Sequence, residues 1–151
     1  MVYRLNLIMK HQETIDYFLK TTWQNIANRY NQMAAEFGIT QSIGYLLINI
    51  DENEGVTVSE VAALLGLKST SLSRMLKNLE NDNLIFRKTH LTDKRSVKLY
   101  LTDKGKEKRR LAKSVVKKFN NYLNEHLTEQ EKEQLVNSLK KVNKLASNYK
   151  P

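Results

Sequence analysis

The chain carries one proline, and that proline is the last of its 151 residues. Proline ends or kinks a helix because it lacks a backbone N–H and its ring collides with the preceding turn. Only five glycines accompany it, so little interrupts a helix, and a fold of many short strands lacks its turn punctuation. A mostly helical protein is expected. Apolar residues make up 40% of the sequence, enough for a packed core and too many for a disordered chain. Cysteine is absent, which removes disulfides, thiolate metal ligands and thiol nucleophiles and fits a reducing compartment. No apolar run approaches the ~20 residues of a membrane helix. Leu5-Asn6-Leu7-Ile8-Met9 is too short for a signal core. A soluble, cytoplasmic protein with no membrane partner is the expectation.

Leu19, Trp23, Ile26, Tyr30, Met33 and Phe37 recur every three or four residues, predicting one amphipathic helix over residues 11–37 that stops at Gly38. Ile43 to Ile50 reads as a core helix begun by Thr40 or Ser42, and Asp51 to Gly55 as a loop. Thr57-Val58-Ser59-Glu60 has the spacing of a capping box, in which the hydroxyl and the carboxylate each bond the other residue's amide. The short helix it opens ends at Gly66. A second short helix, from about Ser69 to Asn81, turns Leu72, Leu76 and Leu79 inward. Two short helices joined through a glycine turn make a helix-turn-helix. Asn83 follows at a position suited to a left-handed conformation.

The period then changes to two over Leu84–Lys88 and Val97–Leu101, which predicts a hairpin with a polar tip at residues 89–96. Thr102 caps a further helix bearing Leu111, Val115, Phe119, Tyr122 and His126 on one stripe. A second capping box, Thr128 to Glu131, opens a last helix with Leu135, Leu139 and Val142. The fold class is therefore mostly α with a small β-hairpin wing: a winged helix-turn-helix over residues 38–102, flanked by helical segments 1–37 and 103–151.

The formal charge of +9 is concentrated rather than spread. Residues 84–118 hold 13 basic side chains against Asp93, Asp103 and Glu107. A charge run is often only a solvated face, but one block this lopsided suits a polyphosphate or an acidic membrane, and the neighbouring segments decide between them. The second short helix points the same way. Its outward positions, Ser69, Thr70, Ser71, Ser73, Arg74, Lys77 and Asn78, are hydroxylated, amide or cationic. Such side chains reach base edges and phosphates without bringing a carboxylate against a polyanion. In the hairpin, Arg87, Lys94 and Arg95 are candidate DNA contacts, and Asp93 is placed to orient the Arg95 guanidinium for a minor groove. The expected partner is double-stranded DNA.

From Thr57 to Lys106 the chain resembles the MarR family of bacterial transcription regulators. The likeness is carried by Glu60-Val61-Ala62, Gly66-Leu67, Ser71-Leu72-Ser73-Arg74, Leu79-Glu80, Leu84-Ile85, Asp93-Lys94-Arg95-Ser96 and Leu101-Thr102-Asp103-Lys104-Gly105. One long helix before this segment and two after it resemble the family as well. Asn83 departs from the family's usual glycine, and Lys68-Ser69 leaves base preference open. The resemblance implies a homodimer with recognition helices in successive major grooves and wings in the flanking minor grooves of a pseudo-palindrome. It also implies a repressor that small aromatic or phenolic anions release. Trp23, Tyr30 and Tyr45 are candidates to line such a ligand cavity, although an aromatic stripe is more often core. Without cysteine, control by thiol oxidation is ruled out.

The dimer follows separately from the apolar stripes of residues 19–37, 111–126 and 135–149, which exceed what a three-helix winged core covers. An enzyme is not expected. His11, His90 and His126 lie far apart without metal-ligand spacing, no phosphate loop or nucleophile elbow occurs, and no cofactor is implied. The remaining alternative is a sequence-neutral architectural DNA-binding protein.

Overall fold

Leucines spaced four and three apart at 72, 76 and 79 give one helix a continuous apolar edge, and the core grows from that edge. All three are buried among Leu46, Leu47, Ile50, Val61, Leu84, Ile85, Leu99 and Leu101. Each such side chain contributes roughly 1.5–3 kcal/mol by leaving water. The structure, a computed structural model, describes residues 14–66, 69–89 and 97–150, apart from the Ser69 side chain. The expected roles of His11, Leu67, Lys68, His90, Asp93, Lys94, Arg95 and Ser96 fall outside those residues.

Six helices and one small antiparallel sheet lie among the described residues. The helices are α1 (Ile15–Ala35), α2 (Gln41–Asn49), α3 (Val58–Leu65), α4 (Ser69–Asn81), α5 (Asp103–His126) and α6 (Glu129–Asn148). The strands are β1 (Val56–Thr57), β2 (Ile85–Thr89) and β3 (Val97–Leu101). Helix α1 starts after Thr14, and Gly38 turns the chain beyond it with φ of +66°. Thr40 is the residue that caps α2, its hydroxyl accepting from the Ile43 amide at 3.3 Å. Both capping boxes form, at Thr57–Glu60 and Thr128–Glu131.

The sheet has one strand more than the two-stranded hairpin that the sequence pattern predicts. Its order is β1-β3-β2, with Val56 opposite Leu99 and Thr57 opposite Lys98. Two residues are too few to carry a period, so β1 leaves no pattern in the sequence. It is held by the turn before it. The Asp51 carboxylate accepts from the Asn53 and Glu54 amides, both at 2.8 Å. Gly55 then takes φ of +66° against the Leu99 carbonyl, where a Cβ would come within 2.7 Å of that oxygen.

The chain divides into two compact units, with the break between Val115 and Val116 inside α5. The first contains α1 to α4, the sheet and the first half of α5. In the second, the end of α5 and the whole of α6 bury little, and α6 has no buried residue.

Helix α5 enters the first unit through a backbone contact. The Thr102 amide donates to the Leu84 carbonyl at 3.1 Å, and a Cβ on Gly105 would lie 1.9 Å from that same oxygen. Gly105→Ala is therefore expected to lower unfolding free energy by about 2–3 kcal/mol, measured by denaturant titration; unchanged stability would mean that α5 approaches less closely.

Acid should act through the caps. Backbone and hydroxyl hydrogen bonds from Thr57 and Thr128 hold Glu60 and Glu131 below the usual carboxylate range. Amide bonds from Glu54 and Asn53 do the same to Asp51. A carboxyl lowered in the folded state stabilises above its unfolded pKa, and that contribution is lost as pH falls through the folded pKa. Thermal unfolding followed by circular dichroism should thus show falling Tm as the buffer is taken down through the carboxylate range. In Thr57→Ala, which removes the cap hydroxyl, that acid-side drop should be shallower.

Candidate nucleic-acid interface

Helix α3 ends at Gly66, whose φ of +59° is left-handed, and α4 begins after the turn. The buried leucine edge of α4 determines where its other face points. Thr70, Ser71, Ser73, Arg74, Lys77 and Asn78 are all exposed on that face. Thr70, Ser73, Arg74 and Lys77 follow the three-and-four spacing of a single helix surface. Ser69 opens the helix beside them. Among the described residues, neither Arg74 nor Lys77 has an acidic partner. This is a polar, cationic helix surface set beside the sheet.

Asn83 takes φ of +56° and ends the segment after α4 as its residue type allows. Its carbonyl accepts from the Thr102 hydroxyl at 2.6 Å, and the same hydroxyl accepts from the Gly105 amide at 3.0 Å. The hairpin's inner face carries Ile85, Leu99 and Leu101 into the core. On its outer face Phe86 stacks on Tyr100 at 5.6 Å, with the Lys88 ammonium 5.8 Å from the Tyr100 ring. Lys98 reaches back to the Glu54 carbonyl at 3.0 Å. Arg87 is engaged: its guanidinium holds the Glu80 carboxylate of α4 at 2.7 and 3.2 Å.

The basic block therefore does two kinds of work, which a charge count cannot separate. Three of its cations hold helix ends. The Lys104 ammonium donates to the Asp82 carbonyl just past α4 at 2.8 Å. Lys108 donates to the Phe37 carbonyl just past α1. Arg109 donates to the Ile48 carbonyl in the last turn of α2 at 3.4 Å and pairs with Glu52. Helix C-termini carry unsatisfied carbonyls and partial negative charge, which cations favour. None of α1, α2 and α4 has a basic residue in its own last turn. Helices α3 and α6 share that omission without receiving such a cation among the described residues, so no local signal in the sequence marks Lys104, Lys108 and Arg109 as structural.

The aromatic residues considered for a ligand cavity are distributed over α1 and α2. Trp23 is 52% exposed and Tyr45 41%, while Tyr30 is half-buried. No group of His, Asp and Glu suited to a metal ion occurs among the described residues. No helix among them is long and apolar enough to cross a membrane.

The sequence profile of the MarR family matches residues 34–96, which take in the helix-turn-helix and the first hairpin strand, β2. Among solved structures, the fold is similar to the MepR–DNA complex of Staphylococcus aureus, with TM-score 0.76 and 26% identity over 90% of this chain and 98% of that one. It is similar also to a MarR family regulator from Listeria monocytogenes complexed with a 26mer DNA, with TM-score 0.78 and 26% identity over 89% and 91%. The transcriptional regulator SarZ of Staphylococcus epidermidis is 26% identical over 116 residues, 77% of each chain. The profile match, the regulator relatives and the solved structures together support a place among the MarR family winged helix-turn-helix transcription regulators. These are DNA-binding regulators, not enzymes.

Lys108→Ala and Arg109→Ala should each lower stability by about 1–2 kcal/mol, the cost of losing a charged hydrogen bond to a helix end. Arg110→Ala, which removes an exposed side chain, should cost less than either in the same thermal denaturation series.

Proposed function

We propose that the protein is a sequence-specific DNA-binding regulator that acts in the cytoplasm as a homodimeric repressor on a pseudo-palindromic operator. The observation that carries this reading is the α4 surface. A buried leucine edge aims an exposed row of hydroxyl, amide and cationic side chains outward, and Glu80 is the helix's one acidic residue. Thr70, Ser71, Ser73, Arg74, Lys77 and Asn78, with Ser69 at the helix start, read the major groove. Of Asp93, Lys94 and Arg95, which follow β2 in the sequence, the two cations are assigned to DNA, Arg95 to the minor groove. The DNA complexes of MepR and of the Listeria regulator support the choice of partner.

Self-association is supported by apolar side chains exposed on both compact units. Phe18, Leu19 and Trp23 on α1 are exposed, as are Tyr122 on α5 and Leu135, Leu139 and Leu145 on α6. Residues 1–37 and 103–151 supply the dimer, and 38–102 the DNA-reading module. Two readers related by a two-fold axis meet half-sites about one DNA turn, roughly 34 Å, apart. Release follows the binding of a small aromatic or phenolic anion near Trp23, Tyr30 and Tyr45.

Selection of duplexes from a random pool tests the reading directly. A regulator enriches a two-fold-related sequence and prefers it over random duplex by about a thousandfold or more, whereas an architectural protein enriches none. On the selected duplex, Arg95→Ala should weaken binding by ~1–3 kcal/mol and leave the dimer intact. Arg74→Ala should change the enriched sequence as well as the affinity. A uniform loss across all duplexes would instead make Arg74 a phosphate contact.

A further inference from the structure

Arg87 lies in the basic hairpin, yet its charge is already matched. Its Nε donates to one Glu80 oxygen at 2.7 Å and a terminal nitrogen donates to the other at 3.2 Å. This two-point fork fixes orientation as well as distance.

The position of Glu80 is costly on two counts. It stands in the last turn of α4, where the helix dipole disfavours negative charge. It also puts a carboxylate on the helix that approaches a polyanion. Arg87 offsets both. On β2, Arg87 follows the buried Ile85 by two residues, so it shares the face of the strand that packs on α4. Phe86 and Lys88 take the other face. Arg87 is thus the link between α4 and the part of β2 that leads into the tip.

We propose that Glu80 and Arg87 form a brace that sets the angle between the wing and the recognition helix, so that Arg87 is a positioning residue and not a phosphate contact. The proposal rests on the DNA-binding reading above. The brace keeps the helix and the wing tip in register with adjacent grooves, and its two charges cancel, so it adds nothing to phosphate attraction. Its contribution is to discrimination between sequences. Both side chains are partly exposed, at 42% for Arg87 and 30% for Glu80, so the pair adds little to folding stability. Variants should therefore remain folded.

The two roles for Arg87 predict opposite signs for one substitution. If Glu80 merely restrains a phosphate-binding arginine, Glu80→Gln frees it and tightens binding. If the pair is a brace, Glu80→Gln weakens binding to the selected duplex by about three- to fivefold, with a smaller loss on random duplex. Binding of wild type, Glu80→Gln, Arg87→Gln and the Glu80→Arg/Arg87→Glu exchange would be measured by fluorescence anisotropy against both duplexes across a salt series. Circular dichroism would establish that each variant is folded.

The brace predicts that both single variants narrow the selected-to-random ratio, that the salt slope stays at its wild-type value, and that the exchange restores much of the ratio. A Lys77→Gln control, which removes an exposed cation without an acidic partner from the DNA-facing surface, would reduce the slope by about one. Tighter binding by Glu80→Gln, or a slope reduced by about one in Arg87→Gln, would overturn the proposal in favour of a phosphate contact. Unchanged ratios in all variants would overturn it as well, leaving an inert surface pair. Wild-type protein that binds no duplex would overturn the DNA-binding reading itself, and the brace with it.

Discussion

The amino-terminal turns of α5 hold the ends of three other helices, and the winged module depends on that grip. Thr102 and Lys104 bond the carbonyls of Asn83 and Asp82 beyond α4, Lys108 that of Phe37 beyond α1, and Arg109 that of Ile48 in α2. Helix ends are where backbone carbonyls lack partners, and a cation there satisfies both the hydrogen bond and the dipole. One helix can serve three others because Lys104 and Lys108 share a face one turn apart along the axis while Arg109 projects from a different side. The close approach also needs Gly105, since any side chain there would meet the Leu84 carbonyl.

With the end of α4 fixed in this way, a single amphipathic helix performs two tasks. Its leucine edge anchors the core, and its opposite edge is thereby aimed at solvent in a fixed orientation. Rotating the helix to improve one face would spoil the other. The Glu80–Arg87 pair extends the same control to the strand that leads into the wing. Positive charge in this chain is accordingly divided. Part of it faces outward on α4, and part neutralises helix ends or a carboxylate inside the module.

Much of this was legible locally. The capping boxes at Thr57 and Thr128 encode their hydrogen bonds within four residues, and both form. The leucine spacing of α4, the alternation of β3 and the left-handed turn at Asn83 are likewise short-range signals that the structure reproduces. The first strand left no such signal. Its two residues become a strand only because β3 supplies hydrogen-bond partners more than forty positions away. Arg87 read as a free cation for the same reason, because its partner lies seven residues back on another element.

The order of residues by itself determined which segments are helical, where they start and stop, and which edge of each is apolar, because those depend on neighbours within one or two turns. The tertiary structure alone decided which cations meet carbonyls or carboxylates and which remain exposed, and whether two residues form a strand. Charge interactions act through space and burial rather than along the chain. A lysine at position 77 and one at position 108 are therefore alike in sequence and opposite in role once the helices are packed.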